Sequence, residues 1–216
     1  MDFKFVWEHL PSLLRGLQTT VSVSLILLVL VNVVGVLGAL ARTSRIKLLR
    51  WVTAAYVEIA RNVPELVQIY FVFFVFPSLG YKFSAYTCGI IAMTFFGGGY
   101  FIEVYRSGLE AVPKTQFEAA TSLALTRFQR MRHVIFPQAL RICLPALNGY
   151  FLYLVRSTSL LAAIGISEAT FVAQDIIAIY FHPFEMFTAV AVLYLLIVWS
   201  LSFALRRLEN KLKYEL

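Results

Sequence analysis

The side chains able to do chemistry are few in this sequence, and several stand among apolar neighbours. Arg156, Ser157, Thr158 and Ser159 interrupt one aliphatic and aromatic run, while Glu65, Gln68 and Glu103 interrupt two others. A guanidinium can grip a carboxylate with two parallel hydrogen bonds. Arg156 therefore offers either a contact for an acidic ligand group or an ion pair with Glu103 or Glu65 on a neighbouring segment. The hydroxyls of residues 157–159 follow at successive helical angles, so at least one is expected to line a cavity while the others bond back to their own helix. Gln68 and Asn62 are further polar candidates, with helix packing as the alternative use. No HExxH, GxSxG or paired-aspartate arrangement supplies a nucleophile, base or metal, and no G-x-x-x-x-G-K-[ST] loop is present to cradle ATP. His9, His133 and His182 are expected on separate loops, which argues against a metal site. Cys88 and Cys143 have no CxxC spacing and read as small buried apolar residues.

The elements that must position these groups are membrane helices. With 60% hydrophobic and 14% charged residues among 216, and a mean hydropathy of +0.76, the chain cannot cover a soluble domain with polar surface. Its net charge of +7 sits beside the apolar runs rather than along one amphipathic face, so it sets topology rather than binding nucleic acid. The N-terminus lacks the charged and apolar regions of a cleaved signal, so the first apolar span is expected to be retained.

Five segments are long and apolar enough to cross, at about residues 19–41, 64–79, 85–105, 144–164 and 184–205. The stretch 51–60 is either the entry to the second span or an interfacial helix. Arg42, Arg45, Lys47 and Arg50 follow span one. Arg106, Lys114, Arg127, Arg130, Arg132 and Arg141 join spans three and four, and Arg206, Arg207, Lys211 and Lys213 follow span five. Cytoplasmic loops retain such bases, which places the N-terminus outside and the C-terminus inside. The stretch 165–185 holds no base and is expected to be an external loop, with Glu168 and Asp175 exposed to solvent or to a partner. Gly35, Gly38 and Gly97–Gly99 suit close helix crossing.

Residues 108–137 form a polar, basic cytoplasmic loop. Thr115 with Glu118, and Thr126 with Gln129, fit the capping box, so two short helices are expected with a turn near Leu125. Pro113 precedes the first and Pro137 closes the second. Ala120 and Ala124 fall on one face of the first helix.

Glu118-Ala119-Ala120, then Ala124, then Val134-Ile135-Phe136-Pro137 resembles the EAA loop of bacterial ABC importer permeases. Relatives have glycine at position 124, where a turn of positive φ would suit alanine less well. The runs at 61–69, 97–108 and 155–160 extend the likeness to the polar amino-acid uptake permeases of the histidine, glutamine and glutamate type. The resemblance implies an all-α integral membrane protein with one permease domain over residues 1–216. Two such chains, identical or paralogous, would pair in the bacterial cytoplasmic (inner) membrane. Two separate cytoplasmic ATPases would hold ATP and Mg, and an extracytoplasmic binding protein would deliver a polar amino acid. Glu118, Ala119, Ala120, Ala124 and Pro137 would then form the ATPase-coupling site. Glu65, Gln68, Glu103, Arg156, Ser157, Thr158 and Ser159 would line the substrate pathway, with no cofactor in this chain. Ser157 stands where relatives often carry an acid or amide and Glu65 where an apolar residue is common, which leaves the preferred side-chain charge open. A channel or scaffold without ATPase coupling is the alternative.

Overall fold

The computed structural model describes residues 2–214, all of its regular structure helical. Helix α1, Phe3–Arg42, begins where the Asp2 carboxylate accepts the amides of Lys4 and Phe5. It buries Leu13, Gly16, Thr20, Val23, Leu27, Val31, Gly35 and Ala39, a stripe at intervals of three and four that fixes one face inward. Thr20 and Ser24 donate back to the carbonyls of Gly16 and Thr20, so these hydroxyls leave no unpaired polar group in the stripe.

Helix α2, Lys47–Asn62, leads through Val63-Pro64 into α3, Glu65–Tyr70, then a π-helical turn at Phe71–Val75 and the short α4, Phe76–Ser78. Lys47–Asn62 and Glu65–Ser78 are bent by 109° at the break. Asn62 precedes two residues of extended backbone ending in a proline, which cannot continue a helix interior. Residues 51–60 pack against the bundle through their second half. The Tyr56 hydroxyl donates to the Phe95 carbonyl at 2.7 Å, so the second half of α2 lies against the next span, while Trp51 and Val52 stay exposed.

Helix α5, Ala85–Ala111, is the centre of the bundle, and α1, α2, α3 and α8 all pack on it. Its glycines permit this. A Cβ added at Gly35 would lie 2.7 Å from the Phe101 Cβ, and one at Gly99 would lie 2.6 Å from the Ala60 Cβ. Small residues at the crossings thus bring three helix backbones together, as the sequence indicates. Helices α6, Lys114–Ser122, and α7, Arg127–Arg130, follow. A π-helical turn at Met131–Ile135 then joins α7 to α8, Phe136–Ser157, and a 3₁₀ segment at Thr158–Ile164 ends the run. Helices α9, Ala169–Tyr180, and α10, Pro183–Tyr214, complete the chain.

Among the described residues three helices are each long and apolar enough to cross a membrane, or up to five spans if each bent pair counts as one. The upper figure equals the five expected, with two differences. The second span is broken rather than straight, and the fourth is part of a longer helical run.

The stretch 165–185 is not a solvated loop. Glu168 is fully buried, and its two oxygens accept the amides of Thr170 and Phe171 at the start of α9. The Tyr194 hydroxyl of α10 donates to the same carboxylate at 2.8 Å. Only Asp175 of the expected pair is exposed. The histidines also differ from expectation. Phe5 stacks on both His9 and His182 with centroids 4.2 Å apart in each case, so two of the three meet where α1 and α10 begin.

Candidate functional site

The loop between α5 and α8 is an ordered structure. Helix α6 starts at Lys114 with Pro113 before it and no side-chain cap, so the Thr115–Glu118 capping box does not form. Proline's fixed φ opens the helix one residue early, placing Thr115 inside the first turn. The second box forms in full: Gln129 N donates to Thr126 Oγ1, and Thr126 N donates to Gln129 Oε1 at 2.9 Å. The Arg130 guanidinium donates to Thr121 Oγ1 at 2.6 Å, tying the two short helices together, and Gln138 donates to Gln116 to tie them to α8.

Ala124 lies beyond the end of α6, in the turn, with φ of +53°. It therefore does not share a helix face with Ala120, which is buried against its own chain at 2% exposure. Glu118 and Ala119 are exposed, and Glu118 with Phe117, Thr121 and Ser122 lines a shallow surface recess. Pro137 closes nothing: the helix runs through it from the preceding π turn into α8. Its missing N–H falls in the first turn of α8, where it costs least.

The polar groups at membrane depth separate into three clusters. At the end of α1, Glu103 pairs with Arg106 at 2.7 Å and with Arg42 at 3.5 Å, and Arg106 also pairs with Glu110 at 2.6 Å. Around the 3₁₀ segment, Thr158 is fully buried and donates to the Val155 carbonyl, with Tyr194 and Glu168 beyond it. Ser159 likewise donates back to Arg156 O. At the bend between α2 and α3, Glu65 accepts from Tyr153 at 3.2 Å, Ser157 lies within interaction range of the same carboxylate, and Gln68 is buried beside them. Arg156 pairs with neither Glu103 nor Glu65, both of which are held by other groups; it is exposed.

The structure thus brings Glu65, Gln68 and Ser157 together, places Glu103 in a separate ion-pair cluster, leaves Arg156 exposed, and has Thr158 and Ser159 bonding back to their own backbone. Sequence reasoning missed Tyr153 and Tyr194, whose hydroxyls reach buried carboxylates, and Asn32, which accepts from Tyr105 at 2.6 Å. An apolar groove of about 360 Å³ between α2, α3 and α5 has Gln68 as its only polar lining residue, so it is poorly suited to an amino acid.

A helical bundle wound round one glycine-rich span, with a polar helical loop at one end, defines a polytopic membrane protein. Residues 31–214 match the family described as binding-protein-dependent transport system inner membrane component, and the chain belongs to that family. It is 34% identical over 214 residues to the glutamine transport system permease protein GlnP of Escherichia coli (strain K12), covering 98% of each chain. It is 36% identical over 191 residues to the probable amino-acid ABC transporter permease protein YckA of Bacillus subtilis (strain 168), covering 88% of this chain and 84% of that one. A crystal structure of an amino acid ABC transporter with histidines superposes with a TM-score of 0.91 at 29% identity, covering 98% of this chain and 99% of that one.

Proposed function

We propose that the chain is the permease subunit of an ATP-driven importer for polar amino acids, with its N-terminus outside, its C-terminus inside and its whole length acting as one permease domain. The observation that carries this is the braced α6–α7 loop, whose exposed Glu118 and Ala119 stand on a helix tied to α7 through Thr121 and to α8 through Gln116. A rigid mount of that kind transmits movement rather than absorbing it. Two ATPase subunits outside this chain bind ATP and Mg, a second permease chain completes the pathway, and a binding protein delivers the amino acid. The relatives named as amino-acid permeases support the substrate class.

Within this reading Glu118 is the charged contact to the ATPase, Ala119 packs in its groove, and Ala120, Ala124 and Pro137 shape the helix that carries them. The substrate pathway passes Glu65, Gln68 and Ser157, where the fourth span changes from α to 3₁₀ geometry. Broken helices at membrane depth supply the irregular backbone that transporter sites use. Arg156 is exposed in this single chain and faces the pathway or the second permease chain.

The test is reconstitution with the partner ATPases and measurement of ATP hydrolysis stimulated by amino acid. Because Glu118 is exposed, Glu118→Lys leaves the spans intact, and it is expected to lower stimulated hydrolysis about ten-fold or more by placing like charge in the contact. Undiminished stimulation in a properly inserted variant overturns the coupling role. Failure of the wild-type chain to retain an ATPase through purification favours the channel or scaffold reading.

A further inference from the structure

We propose that Glu65 and Gln68 form the cation-selecting end of the substrate site, which takes an amino acid whose side chain carries a guanidinium or ammonium group. This rests on the reading of the chain as an amino-acid permease and names its substrate class.

Glu65 and Gln68 are each 7% exposed, and each has one side-chain oxygen, Oε1, with no hydrogen-bond partner. They lie three residues apart on α3, which makes them neighbours on one helical face. Neither oxygen is free by accident of orientation. The Gln68 amide nitrogen donates to the carbonyls of Ala60 and Val63, both at 2.9 Å, and only N–H can face two carbonyls. Its Oε1 is therefore turned away from the bend. The Glu65 Oε2 is held by Tyr153 and Ser157 lies near the same carboxylate, while Oε1 has no hydrogen-bond partner.

Buried polar atoms are almost always satisfied, and this chain provides its own comparison. Glu168, the other carboxylate buried this deeply, uses both oxygens: one takes an amide, the other an amide and a hydroxyl. The remaining unpartnered buried atoms, Arg42 Nε and Thr94 Oγ1, sit singly on separate helices. Among the described residues, only at Glu65 and Gln68 do two unpartnered acceptors lie on one helix, one of them on a carboxylate. A guanidinium offers five N–H donors and an ammonium three, with no acceptor to be repelled. An acidic side chain offers only acceptors and meets like charge.

The surroundings suit a cation as well. Tyr153, whose hydroxyl reaches the carboxylate, packs against Phe96, and Tyr100 packs against Phe96 and Tyr150; ring faces attract positive charge. The Arg61 guanidinium, 5.2 Å from the Tyr100 ring centre, shows that these rings already hold a cation.

The test uses the permease and its ATPases in lipid nanodiscs without binding protein, titrated calorimetrically with L-arginine, L-citrulline and L-glutamate. Citrulline keeps the shape of arginine and replaces the guanidinium with a neutral ureido group. Arginine is expected to bind about ten-fold or more tighter than citrulline, with glutamate weaker still, and Glu65→Gln is expected to bring the first ratio down to about two. Citrulline or glutamate binding as tightly as arginine in the wild type overturns the proposal, and so does an unchanged ratio in a folded Glu65→Gln variant. If that variant does not fold, the wild-type comparison decides alone. If no amino acid binds and none stimulates ATP hydrolysis, the import reading fails and this proposal with it.

Discussion

Ala124 holds a backbone conformation that its own side chain disfavours, with φ of +53°. An L-residue in the left-handed region costs about 1–2 kcal/mol, and glycine escapes this cost. Ala124→Gly is therefore expected to stabilise the loop by about 1 kcal/mol, less whatever chain entropy glycine adds to the unfolded state. Ala124→Val is expected to destabilise it, since a β-branched side chain crowds the left-handed backbone further. Thermal unfolding of the purified complex separates these outcomes, and a Val variant as stable as wild type would contradict the assignment. The sequence carried this much, because the departure from glycine marks the position. It could not show that Ala120 turns inward: spacing on a helix fixes which residues share a face, but not which face meets its own chain. Arg156 illustrates the same limit: of its rivals for Glu103, Arg106 stands three residues along α5, but Arg42 becomes a neighbour only when α1 packs on α5.

At the scale of the element, the expected spans are all present because a long apolar run has one solution in a bilayer. The breaks were less legible. Pro64 marks the bend between α2 and α3, but its 109° depends on Gln68 bridging from α3 to the carbonyls left open at the end of α2. Neither π turn has a sequence signature, although Pro77 and Pro137 follow them closely. Helix α9 was hidden because a base-free stretch between spans looks like a loop when the burial of its capping glutamate is not visible. The glycine crossings were legible and yield a test. Gly35→Val would force side chain into Phe101 and Tyr105, and overpacking of this sort costs about 1–3 kcal/mol. The variant is expected to melt earlier and, if the helices part rather than unfold, to lose stimulated ATP hydrolysis. Gly149, with nothing near its Cβ position, is the control, and Gly149→Ala is expected to leave melting unchanged or raise it.

For the molecule as a whole, the proposed orientation has a direct check. Trp7 and Leu123 are exposed at 75% and 74% and lie at opposite ends of the bundle by the charge pattern. With the two native cysteines buried, Trp7→Cys in intact cells is expected to react with a membrane-impermeant maleimide, and Leu123→Cys only after the membrane is opened. The reverse pattern would invert the topology. Helix α1 matters most at this scale because of its length. Its 40 residues span roughly 60 Å, more than the full thickness of a bilayer with its headgroups. One end is clasped through Arg42 to Glu103 on the helix that leads into the α6–α7 loop, and the other ends in the Phe5, His9 and His182 stack. It is one continuous helix whose single proline, Pro11, lies near its start: a rotation of about 5° about the Arg42 end carries the other end about 5 Å. In the proposed orientation, a small angular change at the nucleotide side becomes a displacement the size of a side chain at the surface where a substrate would arrive.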